Sequence, residues 1–168
     1  MRSVLRARIT KVALVLCLMV VGTAIEARAG CQYVRGGITE TVIPSANDPF
    51  GRVVGNVNGV LNGVSTAYVT SLTPSGSTSS DVFVTSKGDM LTGTGVVTLA
   101  PIPGAPPGEF AVHVTLTIDG GAGKYTGASG TITFEGQAHD LFGGPGVGTF
   151  DVVYQGSVCG PSLQADGH

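Results

Sequence analysis

The chain has 168 residues, with nine Lys and Arg against eleven Asp and Glu, 27 glycines, three cysteines and no Trp. Without an N-terminal leader of 29 residues, four basic residues face ten acidic ones, a net charge of −6. A domain of that sign repels nucleic acid and anionic lipid surfaces, which excludes nucleic-acid binding from the expected roles; low charge with abundant Gly and Thr describes a β-rich exported protein.

Arg2, Arg6, Arg8 and Lys11 precede the apolar run Val12 to Val21, and Ala27-Arg28-Ala29 is a small-x-small cleavage site. Residues 1–29 therefore read as a signal peptide, with an apolar run too short to span a bilayer as a helix. The destination expected is bacterial export, secreted or periplasmic. Glu26 and Arg28 stand between the apolar run and Cys31, which argues against a lipid anchor on that cysteine. Cys17 leaves with the leader, so Cys31 and Cys159 remain and are expected to pair in an oxidising compartment. The 139 residues left form one domain. The barrel domain is expected over residues 30–159 and a flexible tail over 160–168.

Eight segments alternate apolar and polar residues between clusters of Gly, Pro, Asn and Ser, which predicts strands near residues 32–43, 52–61, 65–73, 81–86, 90–99, 109–118, 130–139 and 148–158. Between them, Pro44 to Pro49 is turn-rich, Asn62-Gly63 is a tight hairpin signal, Thr73 to Ser80 is a polar loop and Lys87-Gly88-Asp89 another hairpin. Pro101 to Gly108 carries four prolines, which lack the donor a central ladder needs, so it is an exposed loop. Gly143-Gly144-Pro145-Gly146 closes the last hairpin.

Connections this short join antiparallel neighbours. The expected fold is all-β, an eight-stranded antiparallel up-and-down β-barrel, in which Cys31 and Cys159 fall at the same end of adjacent first and last strands. A Greek-key β-sandwich is the alternative, since it also brings termini together. An outer-membrane barrel is disfavoured by the absence of Trp, several short strands and a polar tail.

The hairpin through Gly123 to Thr126 places His113 beside Glu135 and Gln137, and a turn near Pro145 sets His139 opposite Asp151 and Glu135 opposite Gln155. The resulting polar stripe makes His113, Glu135, His139 and Asp151 the catalytic candidates, because a His beside a carboxylate can exchange protons. A solvated outer face produces the same alternation. Ser129 and Ser157 lack the strand-turn-helix elbow of an activated nucleophile, and no metal site or cofactor is expected. The opposite face offers Phe110, Leu116, Phe134, Phe150 and Tyr154 as ligand-binding candidates, with Gly55, Gly59, Gly136 and Gly156 on similar inward phases leaving room for a small apolar ligand.

Ile118-Asp119-Gly120-Gly121-Ala122-Gly123-Lys124-Tyr125-Thr126-Gly127-Ala128-Ser129-Gly130 fails as a phosphate cradle, because Tyr125 follows Lys124 and a strand follows the loop. Gly120, Gly121, Gly123, Gly127 and Gly130 instead supply turn geometry at a barrel rim. This stretch resembles the Gly-Gly-Thr-Gly-Lys/Arg-Phe-x-Gly-Ala-x-Gly loop of the allene oxide cyclase and dirigent barrel superfamily, including its bacterial secreted members. Lys87-Gly88-Asp89-Met90-Leu91 is similar to an Asn-Gly-Asp-x-Leu hairpin of the same bacterial proteins. Ala122 stands where the family usually has Thr and Tyr125 where it often has Phe, and the family's catalytic pattern is missing from Gly36 to Asn58. The resemblance implies an eight-stranded barrel and carries over no catalytic residue. The role expected is a noncatalytic one, binding a small apolar ligand or serving as an envelope or extracellular interaction protein. The alternatives are an isomerase or cyclase working on a hydrophobic substrate inside the barrel, and a sandwich adhesion module.

Overall fold

The alternating segments all become strands in the computed structural model, which describes residues 30–45, 48–73, 76–142 and 147–163. They are β1 (Gly30–Ser45), β2 (Asp48–Val57), β3 (Gly63–Thr73), β4 (Gly76–Thr85), β5 (Met90–Pro101), β6 (Phe110–Ala122), β7 (Ser129–His139) and β8 (Thr149–Gly160). Each pairs antiparallel with the next, and β8 returns to β1 from Gly30 opposite Gly160 to Thr41 opposite Thr149, closing the barrel. The fold is thus the eight-stranded up-and-down barrel, and closure leaves no free edges of the kind two stacked sheets would present. No helix among the described residues is long and apolar enough to cross a membrane. Residues 1–29, Gly143 to Gly146 and the end of the tail from Gln164 to His168 lie outside the described residues.

Three local expectations change. The polar loop expected from Thr73 to Ser80 is largely strand, because β4 begins at Gly76 and its serines alternate between the barrel interior and the outside. The tight hairpin expected at Asn62-Gly63 is replaced by a 3-10 turn, Gly59–Leu61, with Gly63 already in β3. Of the tail expected from residue 160, Gly160 ends β8, and Leu163 is buried with its N–H donated to the Gly160 carbonyl.

Period-two alternation points one face of every strand inward. At the end holding the chain's first strand residue, that interior is filled by Val34, Leu61, Leu91, Leu116, Tyr125, Ile132 and Val158, all fully buried. Each such aliphatic side chain contributes about 1.5–3 kcal/mol relative to exposure. Tyr154 pins this plug: its hydroxyl donates to the Asn58 carbonyl at 2.8 Å and accepts the Leu61 N–H at 2.9 Å. The close fit requires Gly36, where a Cβ would lie 2.1 Å from the Asn58 oxygen.

The glycine loop belongs to this closed end. Gly120, Gly121 and Ala122 finish β6, and Gly123–Tyr125 forms a second 3-10 turn that drops Tyr125 into the core. Asp89, from the Lys87-Gly88-Asp89 hairpin, accepts the Lys124 N–H at 3.0 Å, and its own N–H is donated to Thr85 Oγ1 at 3.1 Å. Gly123 has φ of 65° and its missing Cβ would meet that carboxylate at 2.2 Å, so conformation and space both require glycine there. The seam is closed at the same end by the disulfide between Cys31 and Cys159, opposite one another in β1 and β8 with Cα atoms 3.9 Å apart.

A candidate ligand cavity at the open end

Toward the other end of the barrel the side chains leave part of the interior unfilled, and a cavity of about 410 Å³ opens there. Its wall is apolar, built from Ile38, Val53, Val97, Val112, Phe134 and Phe150 with their neighbours. Phe83 forms part of its floor, with its ring 6.1 Å from that of Phe134 and nearly parallel to it. Leu141, Phe142 and Val147, from either side of the β7–β8 connection, stand at the mouth. Asp140 and Phe142 hold positive φ angles of 54° and 58° there. Non-glycine residues in that region carry backbone strain and cluster at functional sites.

Three carboxyl groups line this apolar chamber, Asp140 beside the mouth and, held by serines, Glu40 and Asp81. Glu40 sits on the inward phase of β1 between Ile38 and Val42, opposite Gly55, which is itself opposite Ser65. The Ser65 hydroxyl donates to Glu40 Oε1 at 2.7 Å, and a Cβ at Gly55 would lie 2.4 Å from Glu40 Cγ. Glycine at 55 is therefore what lets the Glu40 side chain lie across β2. A second arrangement repeats the device on β4 and β5. The Ser79 hydroxyl donates to Asp81 Oδ2 at 2.6 Å, and a Cβ at Gly95 would come within 2.3 Å of Ser79 Oγ. Ser65 and Ser79 are 5% and 4% exposed, so both acids are held by hydroxyls that water scarcely reaches.

Burial drives the titration of both acids. Removal from water pushes Asp81 up to about 6 against the opposing pull of the Ser79 hydrogen bond. Glu40 is raised by burial too, lowered in part by Ser65 and raised again by the charge of Asp81. A carboxyl group poised as that of Asp81 is can bind a donor, or give and take protons, near neutral pH.

The polar stripe is on the outer wall, away from this chamber. His113 lies opposite Glu135, with Nδ1 and Oε1 3.5 Å apart and both side chains more than half exposed. The β7–β8 register differs from the one expected by two residues: His139 faces Thr149, Asp151 faces Gln137 and Glu135 faces Val153. The reason is that β7 runs to His139 and β8 starts at Thr149, and these two ends pair with one another. His139 is engaged instead by Glu109, its Nδ1 lying 2.5 Å from Oε2, while Asp151 Oδ2 is 4.0 Å from its Nε2. Among the described residues no three His, Cys, Asp or Glu side chains gather as a metal site.

Of the five ligand-binding candidates, Phe134 and Phe150 line the cavity. Leu116 and Tyr154 fill the closed end, and Phe110 packs on the core with its ring edge-to-face to Phe142 at 5.8 Å. Glu40 and Asp81 were not among the candidates, although a readable signal marks each. Glu40 keeps the phase of Ile38 and Val42, and Asp81 the phase of Phe83, so each is a charge written into an apolar stripe. Among the inward glycines, Gly55 makes room for Glu40, whereas Gly136 and Gly156 admit neighbouring backbone, their missing Cβ atoms falling 2.1 and 2.2 Å from carbonyls of the adjacent strands.

No family model, curated protein or solved structure matches this chain.

Proposed function

We propose that this is an exported binding protein that holds one small, largely apolar molecule in the open half of its barrel. The observation that carries the reading is the 410 Å³ chamber, walled by Val, Ile, Leu and Phe and furnished with a few convergent polar groups. That is the size and lining of a small-molecule site. Export rests on the leader at residues 1–29 and agrees with the disulfide. The likeness of residues 118–130 to the loop of the allene oxide cyclase and dirigent superfamily agrees with the barrel and is an analogy of fold, which by itself assigns no ligand. Native mass spectrometry of protein purified from its own host tests it. A retained small molecule, lost when Val112→Trp fills the chamber, is the expected result; an empty protein that also takes up no hydrophobic fluorophore would overturn it.

The second reading, an isomerase or cyclase, is favoured by one specific observation: two partly buried acids in the chamber, one with its titration pushed up to about 6. Such a group can move a proton between two positions of a bound substrate with no change of mass. The retained molecule incubated with protein in heavy water discriminates the readings. Deuterium incorporation that disappears in Asp81→Asn favours catalysis, and its absence from the unaltered protein leaves binding alone.

A further inference from the structure

Resting on the binding reading above, we infer that the molecule is a hydrophobic amine, bound with its ammonium group between Glu40 and Asp81 and its hydrocarbon body toward the Val- and Phe-lined mouth. The argument is one of charge complementarity inside an enclosed space. Three titratable side chains line the chamber, Glu40, Asp81 and Asp140, and all are acids. The basic side chains of the described residues are all elsewhere. Arg35 is exposed on the outside, and Arg52, also exposed, lies over the Tyr68 ring. Lys87 is exposed on the β4–β5 hairpin, and Lys124 lies over the Tyr125 ring at the closed end. His113 and His139 are on the outer wall.

The two acids thus share an apolar chamber with no cation among the described residues, a costly arrangement that a bound cation relieves. Each already has a serine hydroxyl on one carboxylate oxygen, Ser65 on Glu40 Oε1 and Ser79 on Asp81 Oδ2. Further lone pairs on each remain to accept from a ligand donor, and an ammonium brings three donors. A bare divalent metal is the rival cation. It needs six or more oxygen ligands, or four ligands that include nitrogen or sulfur, and two carboxylates and two hydroxyls in an apolar wall fall short. An anionic ligand would meet only like charge.

A matched series isolates the head group: 4-phenylbutylamine, 4-phenylbutanol and 4-phenylbutyrate share one body and differ in charge. Titrated by calorimetry into the disulfide-intact mature chain at about pH 8, above the value of about 6 to which Asp81 is pushed and below that of an alkyl amine, the amine is expected to bind about tenfold or more tighter than the alcohol, the gain of charge-assisted over neutral hydrogen bonding. The butyrate is expected not to bind. In Glu40→Gln/Asp81→Asn, which keeps shape and hydrogen bonding, the amine should lose that advantage while the alcohol binds as before. Equal or tighter binding of the alcohol, or any preference for the butyrate, would overturn the amine assignment and leave the apolar chamber standing. Failure of all three to bind would remove the binding reading along with it. Should the double variant fail to fold, the three ligands on the unaltered chain still decide.

Discussion

Asp81 carries most of what is distinctive at the level of single residues. Its carboxyl titrates near about 6 in the fold against 3.8 for the free side chain, because burial penalises the ion more than Ser79 stabilises it. A folded-state value above the unfolded one means the native state holds the proton more tightly. The associated stability is complete below pH 3.8 and is lost as pH rises through about 6. Glu40, also raised, acts in the same direction. Asp81→Asn is therefore expected to stabilise the protein near neutral pH by on the order of 2 kcal/mol and to flatten the decline in stability above about pH 4. Urea denaturation of both proteins across that range measures it, and parallel curves would show that the Asp81 carboxylate is solvated. His113→Ala is the contrasting case. An exposed His–Glu pair contributes little, so stability should change by less than about 0.5 kcal/mol and ligand binding not at all. The sequence displays both residues equally plainly. What it hides is which charged positions face a space left empty, since that depends on how far Phe83, Phe134 and Leu116 reach across the barrel, a property of eight strands together.

At the level of elements, strand periodicity was legible nearly everywhere because Val, Ile, Phe and Thr alternate cleanly, as in Phe110 to Ile118. It failed at Gly76 to Ser80, where serines occupy both faces and the pattern carries no apolar phase. The inward serines there are the ones that approach the cavity, so the missed half-strand and the missed site have one cause. The glycine loop presents the opposite situation: its motif is conspicuous and its work is structural. It is locked by Asp89, whose carboxylate takes the Lys124 N–H, so Asp89→Ala should cost about 1–2 kcal/mol by leaving the Lys124 N–H without its partner. Tyr125, fully buried beneath it, has a hydroxyl with no hydrogen-bond partner among the described residues. Tyr125→Phe is expected to be neutral, or stabilising by up to about 1 kcal/mol, because a buried unsatisfied hydroxyl gives nothing back for its desolvation. Guanidinium unfolding of the two variants checks both statements, and a clear loss of stability in Tyr125→Phe would place an acceptor on that hydroxyl.

The whole barrel divides its labour between its ends, and the disulfide lies at the one without the cavity. Cys31 and Cys159 join the first and last strands beside the plug of Val34, Leu61, Tyr125 and Val158, whereas the chamber opens at the far end, past Glu40 and Phe150. The bond closes a loop with a sequence separation of 128, nearly the whole described chain. On the chain-entropy account such a loop restricts the unfolded state by about 4 to 5 kcal/mol. Reduction, or Cys31→Ser/Cys159→Ser, should therefore lower unfolding free energy by up to about that amount and raise the denaturant slope, because the freed chain exposes more surface when unfolded. The folded form should keep its shape, since the β1–β8 ladder continues from Gln32 opposite Val158 to Thr41 opposite Thr149 without the bond. Uptake of a hydrophobic fluorophore into the chamber should accordingly persist in the serine variant under conditions where it remains folded. Loss of that uptake with stability unchanged would mean that the seam governs the chamber directly, and that the two ends are mechanically coupled through β1 and β8.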